Sequence, residues 1–239
     1  MKAFAKRLLK LSPIPLSRNH GYDLQTRAIF KKYLRADSHC VDVGCLKGEI
    51  LDLMLHYAPR GRQFAFEPIP ECFQHLQRKY QHSPGCQVYN LALSNQKGTA
   101  TFNHVLSNPS YSGLRKRDYD KKGELDQIIQ VKTDQLDNLI PENLRIDLIK
   151  IDVEGAELQV LEGAERIVSR DKPLVIFEHG MGASNHYGTT PEKIFTFFSD
   201  RTLRISTLKG FLREGPPLDL KEFQEQYDRN LNYYFIAHP

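Results

Sequence analysis

Short, largely apolar runs alternate along this chain with segments whose apolar residues recur every three or four positions, and the two periods predict two kinds of element. The runs at 39–43, 63–66 and 87–91 predict buried strands. Between them, residues 48–56 predict a helix, and so does the stretch opening at Pro70, with Cys72, Phe73, Leu76 and Tyr80 on its apolar face. Pro59-Arg60-Gly61 marks a turn. Strand and helix patterns following one another within about sixty residues predict a parallel sheet covered on both faces.

Upstream, Leu24, Ala28, Ile29, Phe30, Tyr33 and Leu34 recur at near-helical spacing within 21–35, which predicts a helix over one sheet edge. Residues 1–20 are basic, and Pro13 and Pro15 oppose regular helix there. Residues 1–37 thus read as an N-terminal helical lead-in, and 38–239 as one domain. Past the third strand the pattern changes. Strands are expected at 98–104 and 128–131, flanking a polar stretch at 107–122 that is either a lid or a solvated loop. Arg115, Lys116 and Arg117 make that stretch locally positive, able to meet an anionic group or simply to face solvent.

A second strong strand signal, 144–151, runs into Asp152-Val153-Glu154-Gly155-Ala156-Glu157 and then one helix carrying Leu158, Val160, Leu161, Ala164 and Ile167. Residues 173–177 form a further buried strand that ends at Glu178-His179-Gly180. A helix at 191–200 has Thr190 or Thr189 to cap it, and late strands at 204–208 and 233–237 are separated by a polar segment around Gly215-Pro216-Pro217.

Composition narrows the class. With 239 residues and 40% apolar content, the chain can fill a sizeable core. Its net charge of +4, from 33 basic and 29 acidic residues, includes no long Lys/Arg stripe and argues against nucleic acid as a partner. Cys40, Cys45, Cys72 and Cys86 form no Cys-x-x-Cys pair and read as reduced thiols of a cytoplasmic protein. Lys6, Arg7 and Lys10 interrupt the apolar residues at 5–11, which excludes a signal peptide and leaves an amphipathic helix that packs on the domain or touches a membrane surface. No apolar run reaches the roughly eighteen residues of a stable membrane insertion.

Candidate chemistry gathers at strand ends, where open parallel sheets bind ligands. Asp42 and Gly44 close the first strand, Glu67 the second and Asn90 the third; Asp152 and Glu154 follow one central strand, Glu178 and His179 the next. Gly44 and Gly48 bracket a turn into a helix, where the backbone can approach a ligand that a Cβ would obstruct. Glu67 can accept two hydrogen bonds from ribose hydroxyls, which points to a nucleoside-containing cofactor. The turn lacks the middle glycine of the dinucleotide fingerprint, and Asp42, Glu67 and Asp152 form an acidic rim. Both favour the sulfonium and ammonium of S-adenosyl-L-methionine over the pyrophosphate of NAD. A NAD-dependent oxidoreductase, or a nucleotide-binding protein without turnover, remains the alternative. His179 has a pKa suited to a base, with Glu178 or Asp152 to orient it, or it merely bonds a backbone carbonyl. Lys150 reads as a strand-edge lysine reaching solvent. Asp152, Glu178 and His179 could hold a divalent ion, but no His/Cys spacing demands one and no metal site is assigned.

Asp42-Val43-Gly44 with Gly48, Phe66-Glu67-Pro68, Asn90-Leu91-Ala92-Leu93-Ser94, and above all Ile149 to Glu157 with Leu161-Glu162-Gly163-Ala164 behind it resemble the FkbM family of S-adenosylmethionine-dependent methyltransferases. The resemblance covers about 38–180 and departs at Cys45 and Leu46, where the family carries small and amide residues. It implies a Rossmann-like class I methyltransferase fold with a mostly parallel seven-stranded sheet, and O-methylation of a small-molecule or glycan hydroxyl. It also implies donor binding by Asp42, Gly44, Gly48, Glu67, Asn90 and Ala92; the strand-end reading leaves Asp152, Glu178 and His179 as the catalytic candidates.

Overall fold

The computed structural model describes residues 14–119 and 123–239, so the expectation for 5–11 lies outside the described residues. Helix α1 (Arg18–Tyr33) leads into β1 (Cys40–Val43), α2 (Glu49–Tyr57), β2 (Gln63–Phe66), α3 (Pro70–Tyr80) and β3 (Cys86–Tyr89). A short β4 (Ala92–Leu93), β5 (Gly98–Val105), β6 (Asp126–Asp134) and α4 (Leu136–Leu139) follow. The chain continues through β7 (Leu148–Ile151), α5 (Glu157–Glu162), α6 (Glu165–Asp171), β8 (Leu174–Glu178) and α7 (Pro191–Ser199). It closes with β9 (Arg204–Thr207), α8 (Leu208–Leu212), α9 (Leu220–Asp228) and β10 (Tyr234–His238).

Seven strands form the expected Rossmann-like sheet in the order β3-β2-β1-β7-β8-β10-β9, and β4, β6 and β5 form a small second sheet. β3, β2, β1, β7 and β8 run parallel, and β10 is antiparallel to both β8 and β9. The order reverses between β1 and β7, so the crevice at the topological switch point opens beyond their carboxyl ends. β1, β2 and β7 are buried at every position because helices cover both faces, which is why apolar residues dominate them without a polar alternation; Asp42, Gln63 and Lys150 are the polar exceptions. On one face α1 (Tyr22, Ile29, Phe30) and α2 (Met54) pack over Cys40, Leu148, Ile176 and Ile236. On the other, α5, α6, α7 and α9 bring Val160, Leu161, Ile167, Phe198 and Phe223 onto Val41, Ile149, Val175, Phe177 and Phe235.

Four elements differ from expectation, the first being the strand expected at 144–151, which begins only at Leu148. The single helix after Asp152 is two, parted at Gly163, where a Cβ would come within 2.1 Å of the Ser94 carbonyl oxygen. The third strand ends at Tyr89 because Asn90 turns back on β2. The polar segment between the late strands contains α8 and α9, and the latter begins with a capping box in which Asp219 and Glu222 satisfy each other's backbone N–H. That Asp-x-x-Glu signal is present in the sequence and was masked by the neighbouring prolines.

Candidate active site

The turn after β1 takes three left-handed residues in succession along one loop: Gly44 at φ +78°, Leu46 at +45° and Gly48 at +75°. Protein atoms, not open space, fill the region where side chains of those glycines would lie. A Cβ on Gly44 would sit 1.9 Å from the Asp152 carbonyl oxygen, and one on Gly48 2.3 Å from the Tyr80 hydroxyl. The glycines are therefore required by close approach of β7 and α3, a correction to the expectation of ligand approach. Gly44 still borders the cleft at the switch point, whereas Gly48 caps α2 behind it.

Two carboxyls line this cleft from β1 and β2. Asp42 is buried, and its Oδ2 has no hydrogen-bond partner. Burial pushes its carboxyl up to about 7, with the Lys150 ammonium opposing that rise. Glu67 is also buried, and its oxygens accept the backbone N–H of Leu46 and Ile69, each at 2.8 Å. Burial pushes it to about 7 as well, against those two hydrogen bonds. Glu67 thereby ties the β1 turn to the β2 exit. Its Leu46 bond uses the backbone, so the departure at position 46 leaves the turn intact.

Across the switch point, the strand register assembles a polar tier on one sheet face. Lys150 lies opposite Asp42 and Ile176, and Glu178 lies opposite Tyr234. Lys150 Nζ donates to Asp152 Oδ2 at 3.2 Å, and the Tyr234 hydroxyl donates to the same oxygen. Burial alone would raise the Asp152 carboxyl, but the Lys150 charge and bonds from Tyr234 and Glu178 hold it below its ordinary value. Glu178 takes the opposite course. Burial and the negative charges of Glu154 and Asp152 push its carboxyl well up, the direction that favours a shared hydrogen bond with Asp152. Glu154, at φ +56°, pairs with Arg117 from the 107–119 loop. Burial and Asp152 push Glu154 up to about 8 while Arg117 pulls it down.

Asp42, Gly44, Glu67, Ala92, Asp152 and Glu154 line the one cleft, whose volume is about 730 Å³. Four expected site residues fall elsewhere. Gly48 is a helix cap. Asn90 is exposed and donates to the Glu67 and Pro68 carbonyls at 2.9 and 3.1 Å, bracing the β2 exit. Glu178 reaches the cleft only through Asp152. His179 is 1% exposed on the opposite sheet face, stacked on Phe223 and Tyr227 with ring centroids 5.6 and 4.8 Å away. Neither of its ring nitrogens has a partner, and burial pushes it down to about 4. It is a core residue, not a base in the cleft, and it leaves the metal constellation considered from the sequence.

Asp152, Glu154 and Glu178 do bring carboxylate oxygens within 4.8 Å of one another. Lys150 and Arg117 already pair with Asp152 and Glu154. Lys150 is only 4% exposed on a central strand, which corrects its reading as a solvent-reaching edge lysine. The other basic residues of the polar loop are engaged too: Arg115 donates to the His186 carbonyl at 2.6 Å and Lys116 pairs with Asp126 at 2.6 Å. Sequence reasoning missed Tyr234, which the last strand supplies, and the α1 residues His20, Tyr22 and Thr26, which also line the cleft.

The family model for the methyltransferase FkbM domain matches residues 42–205, more than half of the chain. The chain belongs to the FkbM methyltransferase family. The FkbM domain so defined contains both lips of the switch-point crevice and the Asp152 loop, while α1 and β10 lie outside it. Among curated relatives it is similar to methyltransferase sdnD of Sordaria araneosa, 28% identical over 62% of this chain, and to 2-O-methyltransferase NoeI of Sinorhizobium fredii, 24% identical over 61%. Each match spans 65% of the relative's own length. The crystal structure of methyltransferase FkbM from Methylobacillus flagellatus KT superposes with a TM-score of 0.53 at 17% identity. That match covers 86% of this chain and 44% of the other, and it shows a shared class I methyltransferase fold. No helix among the described residues is long and apolar enough to cross a membrane.

Proposed function

We propose that this FkbM protein is an S-adenosylmethionine-dependent O-methyltransferase acting on a hydroxyl of a sugar, glycan or natural-product acceptor. The observation that carries the reading is the buried Asp42 carboxyl, unpartnered at Oδ2 on the wall of the switch-point cleft. A buried carboxylate without a partner is costly, and a cationic ligand removes that cost. Carboxyls outnumber basic side chains along the walls, which opposes a pyrophosphate and sets aside the nicotinamide alternative. S-adenosylmethionine, when bound, supplies an electrophilic methyl group on a sulfonium.

Asp42 and Glu67 would hold the donor, with Gly44 and Ala92 shaping its walls. Asp152 would receive the acceptor proton. An alcohol oxygen becomes strongly acidic as its bond to the methyl carbon forms, so a carboxylate of depressed pKa suffices as the base. Tyr234, Lys150 and Glu178 fix the Asp152 carboxylate in place, and that rigidity favours in-line alignment. The similarity to NoeI, a 2-O-methyltransferase, supports oxygen as the atom methylated. The catalytic unit is 38–239, with the lead-in of 1–37 lending α1 to the cleft wall. The four free thiols support a cytoplasmic location.

Incubation with methyl-labelled S-adenosylmethionine and a panel of hydroxylated glycans and lipids tests the reading. Label should move to an acceptor with the wild type and fall by about a hundredfold or more with Asp152→Asn. Absence of both donor binding and transfer across the panel overturns it.

A further inference from the structure

The α1 segment that covers the cleft presents a histidine with one ring nitrogen committed and the other idle. Ser17 caps the helix by accepting the His20 backbone N–H at 3.2 Å, and the Leu16 N–H donates to His20 Nδ1 at 3.3 Å. Nδ1 therefore acts as an acceptor, and in the neutral ring the proton resides on Nε2. The residue lines the cleft and is 8% exposed, and Nε2 is buried with no hydrogen-bond partner.

The neighbouring polar groups of α1 are already used. The Tyr22 hydroxyl donates to Asn232 Oδ1 at 3.1 Å and accepts the Tyr233 N–H at 3.3 Å, and Asn19 accepts the Tyr233 hydroxyl. Arg18 donates to the Asn230 and Leu231 carbonyls at 2.9 and 3.2 Å. These bonds fix the start of α1 to the chain just before β10, the strand that supplies Tyr234 to the reacting end. The helix thus holds one donor without a partner on a residue of the cleft wall.

We infer that His20 is an acceptor-binding residue, donating its Nε2–H to a second oxygen of the molecule whose hydroxyl is methylated. The inference rests on the proposed methyl transfer and sharpens its substrate: the acceptor carries a second oxygen with a free lone pair, as a sugar polyol does and a simple alcohol does not. Asp152 takes the proton of one oxygen while His20 donates to the other, so the pair distinguishes the two ends of such a group.

The experiment uses the full chain, labelled S-adenosylmethionine and two sets of probe acceptors: the methyl glycopyranosides of glucose, galactose, rhamnose and fucose, and cyclohexanol as a mono-ol. His20→Phe removes the donor, and His20→Gln retains an N–H. Transfer to a glycoside but not to cyclohexanol is expected. His20→Phe should raise the acceptor KM by about tenfold with S-adenosylhomocysteine affinity unchanged, and His20→Gln should recover most of the loss. An unchanged KM in His20→Phe, or equal transfer to cyclohexanol, overturns the inference. So does donor binding without transfer to any glycoside, and this result leaves the donor site standing. Failure to bind S-adenosylhomocysteine at all overturns the underlying reading and the inference with it. Nitrogen-15 spectra of the imidazole give a check that survives a poorly folded variant: the wild-type ring should be the Nε2–H tautomer, and the Nδ1–H tautomer would refute the assignment.

Discussion

Replacing His179 with phenylalanine separates a buried core residue from a catalytic one and has a magnitude that follows from the structure. The imidazole titrates near 6.5 when unfolded, and burial pushes it down to about 4 in the fold, with the Glu192 charge opposing that fall. Below pH 6.5 the unfolded chain binds a proton that the folded chain refuses. Stability contributed by the neutral ring is therefore complete above pH 6.5, declines as pH falls, and is exhausted near pH 4. The difference of the two values corresponds to about 3 kcal/mol in total, of which about 2 kcal/mol is gone at pH 5. The buried carboxyls work the other way: Asp42 and Glu67, pushed up to about 7, gain stability in the fold as pH falls. The bare pH profile of the wild type is thus a mixture, and the comparison with the variant isolates His179. Phenylalanine is larger, and overpacking shifts stability by about 1–3 kcal/mol at every pH, which cancels when two pH values are subtracted. Urea unfolding at pH 7.5 and pH 5 should show the variant losing about 2 kcal/mol less than the wild type between them, with methyl transfer at pH 7.5 retained. An equal loss in the two proteins refutes the buried-ring reasoning. Loss of transfer in a stably folded variant would return His179 to the reaction.

Donor affinity should weaken as pH drops through 7, approaching tenfold per unit, because a cation binds the ionised form of Asp42; Asp42→Asn should weaken binding by about 1.5–3 kcal/mol and flatten that dependence in calorimetric titrations. Gly44→Ala should destabilise far more than Gly188→Ala in thermal unfolding. A Cβ on Gly188 meets nothing within 4 Å and bears only the left-handed backbone strain of about 1–2 kcal/mol, whereas one on Gly44 also strikes Asp152. In a double-mutant cycle, Arg117→Met and Glu154→Gln should show a coupling of about 1–3 kcal/mol in urea unfolding, and additive effects would show that the loop pair contributes nothing.

The sequence by itself determined the elements and their order. The largely apolar strands at 63–66 and within the expected 144–151 are legible because strands covered on both faces have no solvent side to impose a polar alternation. The placement of Asp42, Glu67 and Asp152 at strand ends followed from the same reading, and the motif around Ile149 to Glu157 named the family. Tertiary structure decided which strand-end residues share a site. Glu178 and His179 are adjacent in the chain, but successive strand residues point to opposite faces, and only the register against β7 and β10 shows that Glu178 joins Asp152 while His179 enters the core with Phe223. Lys150 could not be called buried until β7 was known to be central. Tyr234 and His20 lie at opposite ends of the chain from each other, and no local period encodes that both border the cleft; chain closure around one sheet brings them there.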